Sequence, residues 1–149
     1  MATLLIKRAQ VVATMNDAEQ ELTDASIFIR DRVIEAVGPS DTLPDTADRV
    51  IDARGHVVIP GLINTHHHMV QSLTKAVPVS QNAELFAWLK GLYPIWAGLT
   101  PEMVRVSTQV AMAELLLSGC TTTSDHLYIY PNGVRLDDSI DGARAIGMR

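Results

Sequence analysis

Residues 60–68 read PGLINTHHH. A Pro-Gly turn opens a short apolar run, and the run ends on three of the chain's five histidines. In a strand, side chains alternate faces, so His66 and His68 share one face and His67 takes the other. Two neutral imidazoles so spaced can chelate one divalent ion, at Zn–N distances of about 2.0–2.1 Å. In a β/α barrel the C-terminal strand ends form the active-site rim, and a His pair after a strand would sit there. The bare His-x-His spacing also fits surface histidines at a strand-to-loop junction, because short His spacings are common.

The two sides of this stretch differ in character. Before it, Leu4-Leu5-Ile6, Val11-Val12, Ser26–Ile29 and Val33–Val37 are short β-prone runs. Asn16-Asp17, Arg30-Asp31 and Gly38-Pro39 supply turn chemistry between them. A linker-like patch over 39–48 precedes Val50-Ile51-Asp52 and an Arg54-Gly55 turn. Residues 1–59 therefore predict a β-rich subdomain, a small β-sandwich. After it, strand and helix alternate over 60–149, which predicts parallel β/α units. Leu62–His66 reads as a strand, and residues 82–97 as a helix interrupted at Pro94. A second helix opens with Thr100 as N-cap and Pro101 at its first position, and Gly119 stops it. Cys120–Asp125 reads as a second strand and Asp137–Ile146 as a third helix.

Composition narrows the classes. In 149 residues, 47% are apolar and 19% charged, a globular balance. A net charge of −5 without a Lys/Arg cluster argues against a nucleic-acid partner. The single Cys120 excludes an internal disulfide and fits a reducing compartment. No apolar stretch approaches the ~18 residues of a membrane helix, and the N-terminal order of charge does not resemble a signal peptide. The expectation is a cytoplasmic protein with no membrane partner. A helix over 137–146 closed by Gly147, two residues before Arg149, reads as the point where another strand begins, so a partial chain is expected.

The run IDARGHVVIPGLINTHHHMVQ, Ile51–Gln71, resembles the signature of the amidohydrolase superfamily, with Asp52, Gly55, Pro60, Gly61, Asn64, His66 and His68 in place. The resemblance implies an α/β fold: a (β/α)8 TIM barrel with an N-terminal β-sandwich subdomain, only the first part of the barrel falling within this chain. It implies that His66 and His68 are metal ligands for one Zn²⁺, with iron as the alternative. The other family ligands, a His from each of two later strands and an Asp from a third, and a proton-shuttling Glu, are expected beyond Arg149.

Three further features resemble the chlorohydrolase and aminohydrolase branch. Gln71 completes HxHxxQ, as in guanine-deaminase relatives, where that Gln hydrogen-bonds the purine; a loop-capping role is the alternative. The run LTKAVPVSQNAELFAWLKGLYPIWAGLTPE makes Trp88, Tyr93 and Trp96 candidates to line a planar substrate's pocket, with core packing, the commoner role of aromatic residues at helical spacing, as the alternative. The run TTTSDHLYIYPNG is similar to the same segment of 8-oxoguanine deaminases and places Asp125-His126 near the metal. His126 is then a substrate contact, a support for a ligand, or an ordinary loop residue. His56 and Cys120 read as structural. The resemblance implies a metal-dependent hydrolytic deaminase of an oxidised or amino-substituted purine such as 8-oxoguanine, releasing ammonia. An s-triazine or guanine-type amino- or chlorohydrolase and a truncated, non-catalytic fragment are the alternatives. The partner is a small heterocyclic substrate, and relatives are often homo-oligomers.

Overall fold

The computed structural model describes residues 1–149. They divide into two compact units, Met1–Pro60 and Gly61–Arg149.

The first unit is built on β1 (Thr3–Ala13), which takes a neighbour on each edge. On one side it pairs antiparallel with β2 (Glu21–Arg30), which pairs in turn with β3 (Val33–Pro39). On the other side β4 (Arg49–Asp52) and β5 (Val57–Val58) run parallel to successive parts of it. Leu4–Ile6 and Val11–Val12, read as separate runs, are thus one strand. The polar Lys7-Arg8 between them falls at a bulge, where Arg8 adopts φ 59° and the register shifts. There the Arg8 N–H donates to Ser26 Oγ at 3.0 Å, replacing the lost ladder partner.

All five strands join in one sheet, so residues 1–60 form a single layer where a small β-sandwich was expected. Leu5, Ala9, Val12, Ala25 and Ile27 are buried, whereas Val33, Ile34, Val50 and Val57 are exposed. The stretch read as a linker is pinned: Lys7 Nζ donates to Asp45 Oδ1 at 2.9 Å. Asp48 accepts from the Thr3 N–H at 2.7 Å.

The second unit pairs β6 (Leu62–Asn64) in parallel with β7 (Cys120–Thr123). Both strands are shorter than expected, because each has only the other as a ladder partner. Past their ends the pairing survives as single bonds, Ser124 N–H to the Asn64 carbonyl at 3.0 Å and His126 N–H to the His67 carbonyl at 2.8 Å. The histidines therefore lie just beyond β6, on extended backbone that leads into a 3₁₀ turn (Met69–Thr74).

The connection carries α1 (Leu85–Trp96) and α2 (Pro101–Leu117), and α3 (Leu136–Ile146) follows β7. Helix α1 starts later than expected, because Asn82 turns the chain with φ 57°. Pro94 does not interrupt it. The proline removes only the bond to Lys90, and the helix closes within its next turn as the Ala97 N–H reaches the Tyr93 carbonyl at 2.9 Å. Helix α2 begins as read: Thr100 Oγ1 accepts the Met103 N–H at 3.3 Å, and Pro101 occupies the first turn. Gly119 and Gly147 follow their helices with φ of 87° and 74°. Val104, Thr108, Ala111 and Met112 of α2 are buried, and Cys120 sits in the core with Met69 and Met148. No helix of the chain is long and apolar enough to cross a membrane.

Candidate metal centre

Asn64, the last residue of β6, sets the exit of the chain: its Oδ1 accepts the His66 N–H at 3.0 Å. Beyond that bond, His66 and His68 turn toward one another, with Nε2 atoms 3.2 Å apart and rings nearly perpendicular at 82°. The Nδ1 of His68 lies 2.7 Å from the His126 carbonyl oxygen. A carbonyl only accepts, so that Nδ1 carries the proton and the Nε2 of neutral His68 keeps its lone pair. Two nitrogens ligating one ion tetrahedrally at 2.0–2.1 Å would lie about 3.3–3.4 Å apart. The observed 3.2 Å is compatible with both nitrogens reaching one divalent ion. Within the chain, no third His, Cys, Asp or Glu is placed to complete the coordination.

His67 takes a different environment. Its Nδ1 is buried without a partner, and burial pulls the ring's pKa below the ordinary value against the opposing pull of Asp125. Its backbone carbonyl receives the His126 N–H. The His126 ring stacks on His66 at 4.6 Å and 23°, so a third imidazole joins the cluster.

Gln71 donates from Nε2 to the Tyr128 hydroxyl at 3.0 Å. Tyr128 stands edge-on to His68, with centroids 5.1 Å apart, and thus links the His pair to Gln71. Burial raises the phenol's pKa, with the Gln71 hydrogen bond opposing. His66, His67, His68 and Gln71 line one cleft together with Ser72 and Lys75.

Of the two roles read for Trp96, core packing is the one displayed, and the indole also borders a cavity with Tyr93, Ala97 and Ile129. Trp96 is 1% exposed and packs with Leu92, Leu99 and Val104, and its indole N–H donates to Thr74 Oγ1 at 3.1 Å. Its link to the histidines runs through Tyr128, 6.3 Å away between centroids, so the indole buttresses the site from the core. Trp88 and Tyr93 pack against Trp96. His56 is structural, its carbonyl accepting from Gln10 and its Nδ1–H donating to the Arg54 carbonyl. Sequence reasoning gave Tyr128 no role, although it lies two residues past His126 within the segment that carried the resemblance.

The amidohydrolase family model matches residues 57–149. The chain belongs to the amidohydrolase family. It is 48% identical, over 79% of its length, to an 8-oxoguanine deaminase of Pseudomonas aeruginosa, and covers 27% of that protein. It is 34% identical, over its whole length, to a hydroxydechloroatrazine ethylaminohydrolase of a Pseudomonas species, covering 34% of it. A zinc-bound atrazine chlorohydrolase from Arthrobacter aurescens superposes on 98% of the chain with a TM-score of 0.89 at 32% identity, with 34% of that structure covered. The chain thus spans about a third of the length of these relatives, and the amidohydrolase signature at Ile51–Gln71 lies inside the shared part.

Proposed function

We propose that this chain supplies the first two ligands, His66 and His68, of the zinc site of a hydrolytic deaminase acting on a purine-like heterocycle, with 8-oxoguanine as the leading substrate. The observation that carries the reading is the 3.2 Å approach of the two Nε2 atoms, with the His68 tautomer locked by the His126 carbonyl. The choice of 8-oxoguanine rests on the 48% identity to an 8-oxoguanine deaminase. A zinc ion held there would supply the Lewis acidity that brings the pKa of water toward about 7. In the net reaction water adds at the ring carbon bearing the exocyclic amine, that C–N bond breaks, and ammonia leaves.

The chain's own residues orient the reactants. The His126 carbonyl keeps a lone pair on His68 Nε2, and Asn64 holds the backbone at His66. Gln71 offers a carboxamide to a heterocycle edge, its Nε2 engaged by Tyr128, and the exposed His126 ring flanks the same site. Residues 1–59 and 60–149 are read as part of a β-sandwich and the opening β/α units of a (β/α)8 barrel. The remaining metal ligands and the proton-shuttling Glu would come from later strands of the whole protein. Its setting would be the cytoplasm.

A second reading, an amino- or chlorohydrolase of s-triazines, is favoured by the superposition on the atrazine chlorohydrolase. The experiment is to purify the full-length protein with zinc and follow ammonia release from 8-oxoguanine and guanine, and product release from hydroxylated and chlorinated triazines. Turnover of 8-oxoguanine is expected. Turnover of a triazine without any of 8-oxoguanine would overturn the purine assignment, and failure to bind either zinc or iron would overturn both enzymatic readings.

A further inference from the structure

Asp125 has no part in the mechanism above, yet both oxygens of its half-buried carboxylate are engaged. Oδ1 accepts the Met69 backbone N–H at 3.0 Å, and Oδ2 accepts the Ser139 hydroxyl at 2.6 Å. Met69 directly follows His68, and its side chain is wholly buried against Ala111, Met112 and Cys120. Ser139, in α3, is buried beside Thr108 of α2, whose Oγ1 lies 3.2 Å from Ser139 Oγ and 2.9 Å from the Val104 carbonyl. The helices can approach this closely because residue 142 is glycine: a Cβ there would lie 2.7 Å from the Arg105 carbonyl oxygen. Hydrogen bonds therefore run unbroken from the α2–α3 seam, through Ser139 and Asp125, to the backbone at the end of the His-x-His stretch. The neighbouring residue, His126, grips the His68 ring itself.

We propose that Asp125, anchored by Ser139, is a positioning residue for the His66–His68 pair: it transmits the docking of α3 to the backbone after His68 and so holds the two Nε2 atoms at ligating separation. This rests on the metal-site reading above. Asp125 touches neither ion nor substrate and acts through the Met69 N–H. What the position requires is a pair of hydrogen bonds, and a carboxamide can also make them. An asparagine would accept from Met69 and donate to Ser139, whose own proton would turn to Thr108 Oγ1. A negative charge acting on the ion, by contrast, would be lost in asparagine and alanine alike.

The test uses the full-length protein and three variants, Asp125→Ala, Asp125→Asn and Ser139→Ala. Zinc affinity is measured by competition with a chelator, and ligand geometry by the visible absorption of the cobalt-substituted protein. Asp125→Ala is expected to weaken zinc binding roughly 10–100-fold and to alter the cobalt bands, as loss of a partner behind a ligand does. Ser139→Ala should show a smaller loss, and Asp125→Asn should restore most of the affinity. Wild-type affinity in Asp125→Ala would overturn the proposal, as would an Asp125→Asn variant no better than the alanine. Should Asp125→Ala fail to fold, Ser139→Ala and Asp125→Asn decide the question by the same readouts.

Hydrogen exchange at the Met69 amide in the metal-free protein separates this proposal from the metal reading. Faster exchange in Asp125→Ala and Ser139→Ala, together with unchanged zinc binding in His66→Ala and His68→Ala, would keep the tether and remove the metal role. Unchanged Met69 exchange would remove the tether, whatever the metal does.

Discussion

In residues 1–60 the charged side chains pair at the surface. Lys7 meets Asp45, Arg8 meets Asp24 through two bonds of 3.0 Å, Arg30 meets Glu35 and Arg54 meets Asp52. Residues 61–149 carry surface pairs too, Lys75 with Glu114 and Arg135 with Asp137 among them, and add a buried polar seam of Ser107, Thr108 and Ser139. Solvent screens the first kind of contact and leaves its side chains free to wander, so it adds little to stability or geometry. The second kind sits in a low dielectric with each partner held by another, which turns hydrogen bonds into positional constraints. The sheet unit uses charge to decorate a fold made by backbone pairing. The unit that carries the histidines uses polarity to place atoms.

That contrast can be broken by experiment, beginning where the largest effect is expected. His66→Ala or His68→Ala in the full-length protein should lower kcat roughly a thousandfold or more, since Lewis-acid stabilisation of several kcal/mol is lost. Bound zinc, counted by atomic emission, should fall in parallel. His56→Ala, in the sheet unit, should change neither quantity.

Next come the cores. Trp96→Ala removes a side chain that is 1% exposed and should destabilise the fold by about 3–5 kcal/mol in urea denaturation. Leu5→Ala, fully buried in the sheet unit, should cost about 2–5 kcal/mol. A Trp96→Ala cost near zero would mean that the indole is not the buttress behind Tyr128.

Gly142→Ala tests the helix seam. The added Cβ meets backbone at 2.7 Å, so overpacking of about 1–3 kcal/mol should outweigh a helix-propensity gain of up to about 1 kcal/mol. A more stable variant would show that the α2–α3 contact yields easily, and would weaken the case that it positions His68.

The smallest effect belongs to the surface. Hydrogen bonding from Arg54 holds the Asp52 carboxyl down at about 2. A depressed carboxyl contributes stability that is present above the unfolded-state value of about 3.9 and is lost as pH falls toward 2. Arg54→Ala should raise the midpoint of the Asp52 carboxyl resonance yet leave it below the ordinary carboxylate value, because the backbone N–H of residue 54 still donates to Oδ1, with little change in the denaturation midpoint at neutral pH. A large loss of stability at pH 7 would contradict the claim that this unit's ion pairs only decorate it.

Local signals in the chain account for much of this architecture. Thr100-Pro101, Gly119 and Gly147 mark helix ends by cap chemistry that acts within a few residues, and each mark matches the structure. The shift from β-prone runs to alternating strand and helix falls at Pro60-Gly61, where the two compact units meet in sequence. Pro94 misleads because its local penalty is small in a last turn, and Trp96, two residues on, is anchored by the core and by Thr74. The continuity of β1 is invisible for a similar reason: Lys7-Arg8 reads as a break until Ser26 and Asp24 on the neighbouring strand occupy the bulge.

The sequence by itself determined the family, the doublet His66 and His68, and the parallel strand–helix alternation that places them past a strand end. The family rests on the resemblance of Ile51–Gln71 to its signature, whereas the doublet and the alternation follow from spacing, turn residues and hydrophobic period, all of which act over a handful of positions. Only the tertiary structure decided that His68 is locked by the His126 carbonyl 58 residues away, that Tyr128 engages Gln71 across 57 residues, and that Trp96 supports the site from the core. It also decided that Asp125 reaches the backbone behind His68. Such contacts join residues with no periodic relation, and they exist only once β6 and β7 lie side by side and α3 is seated on α2.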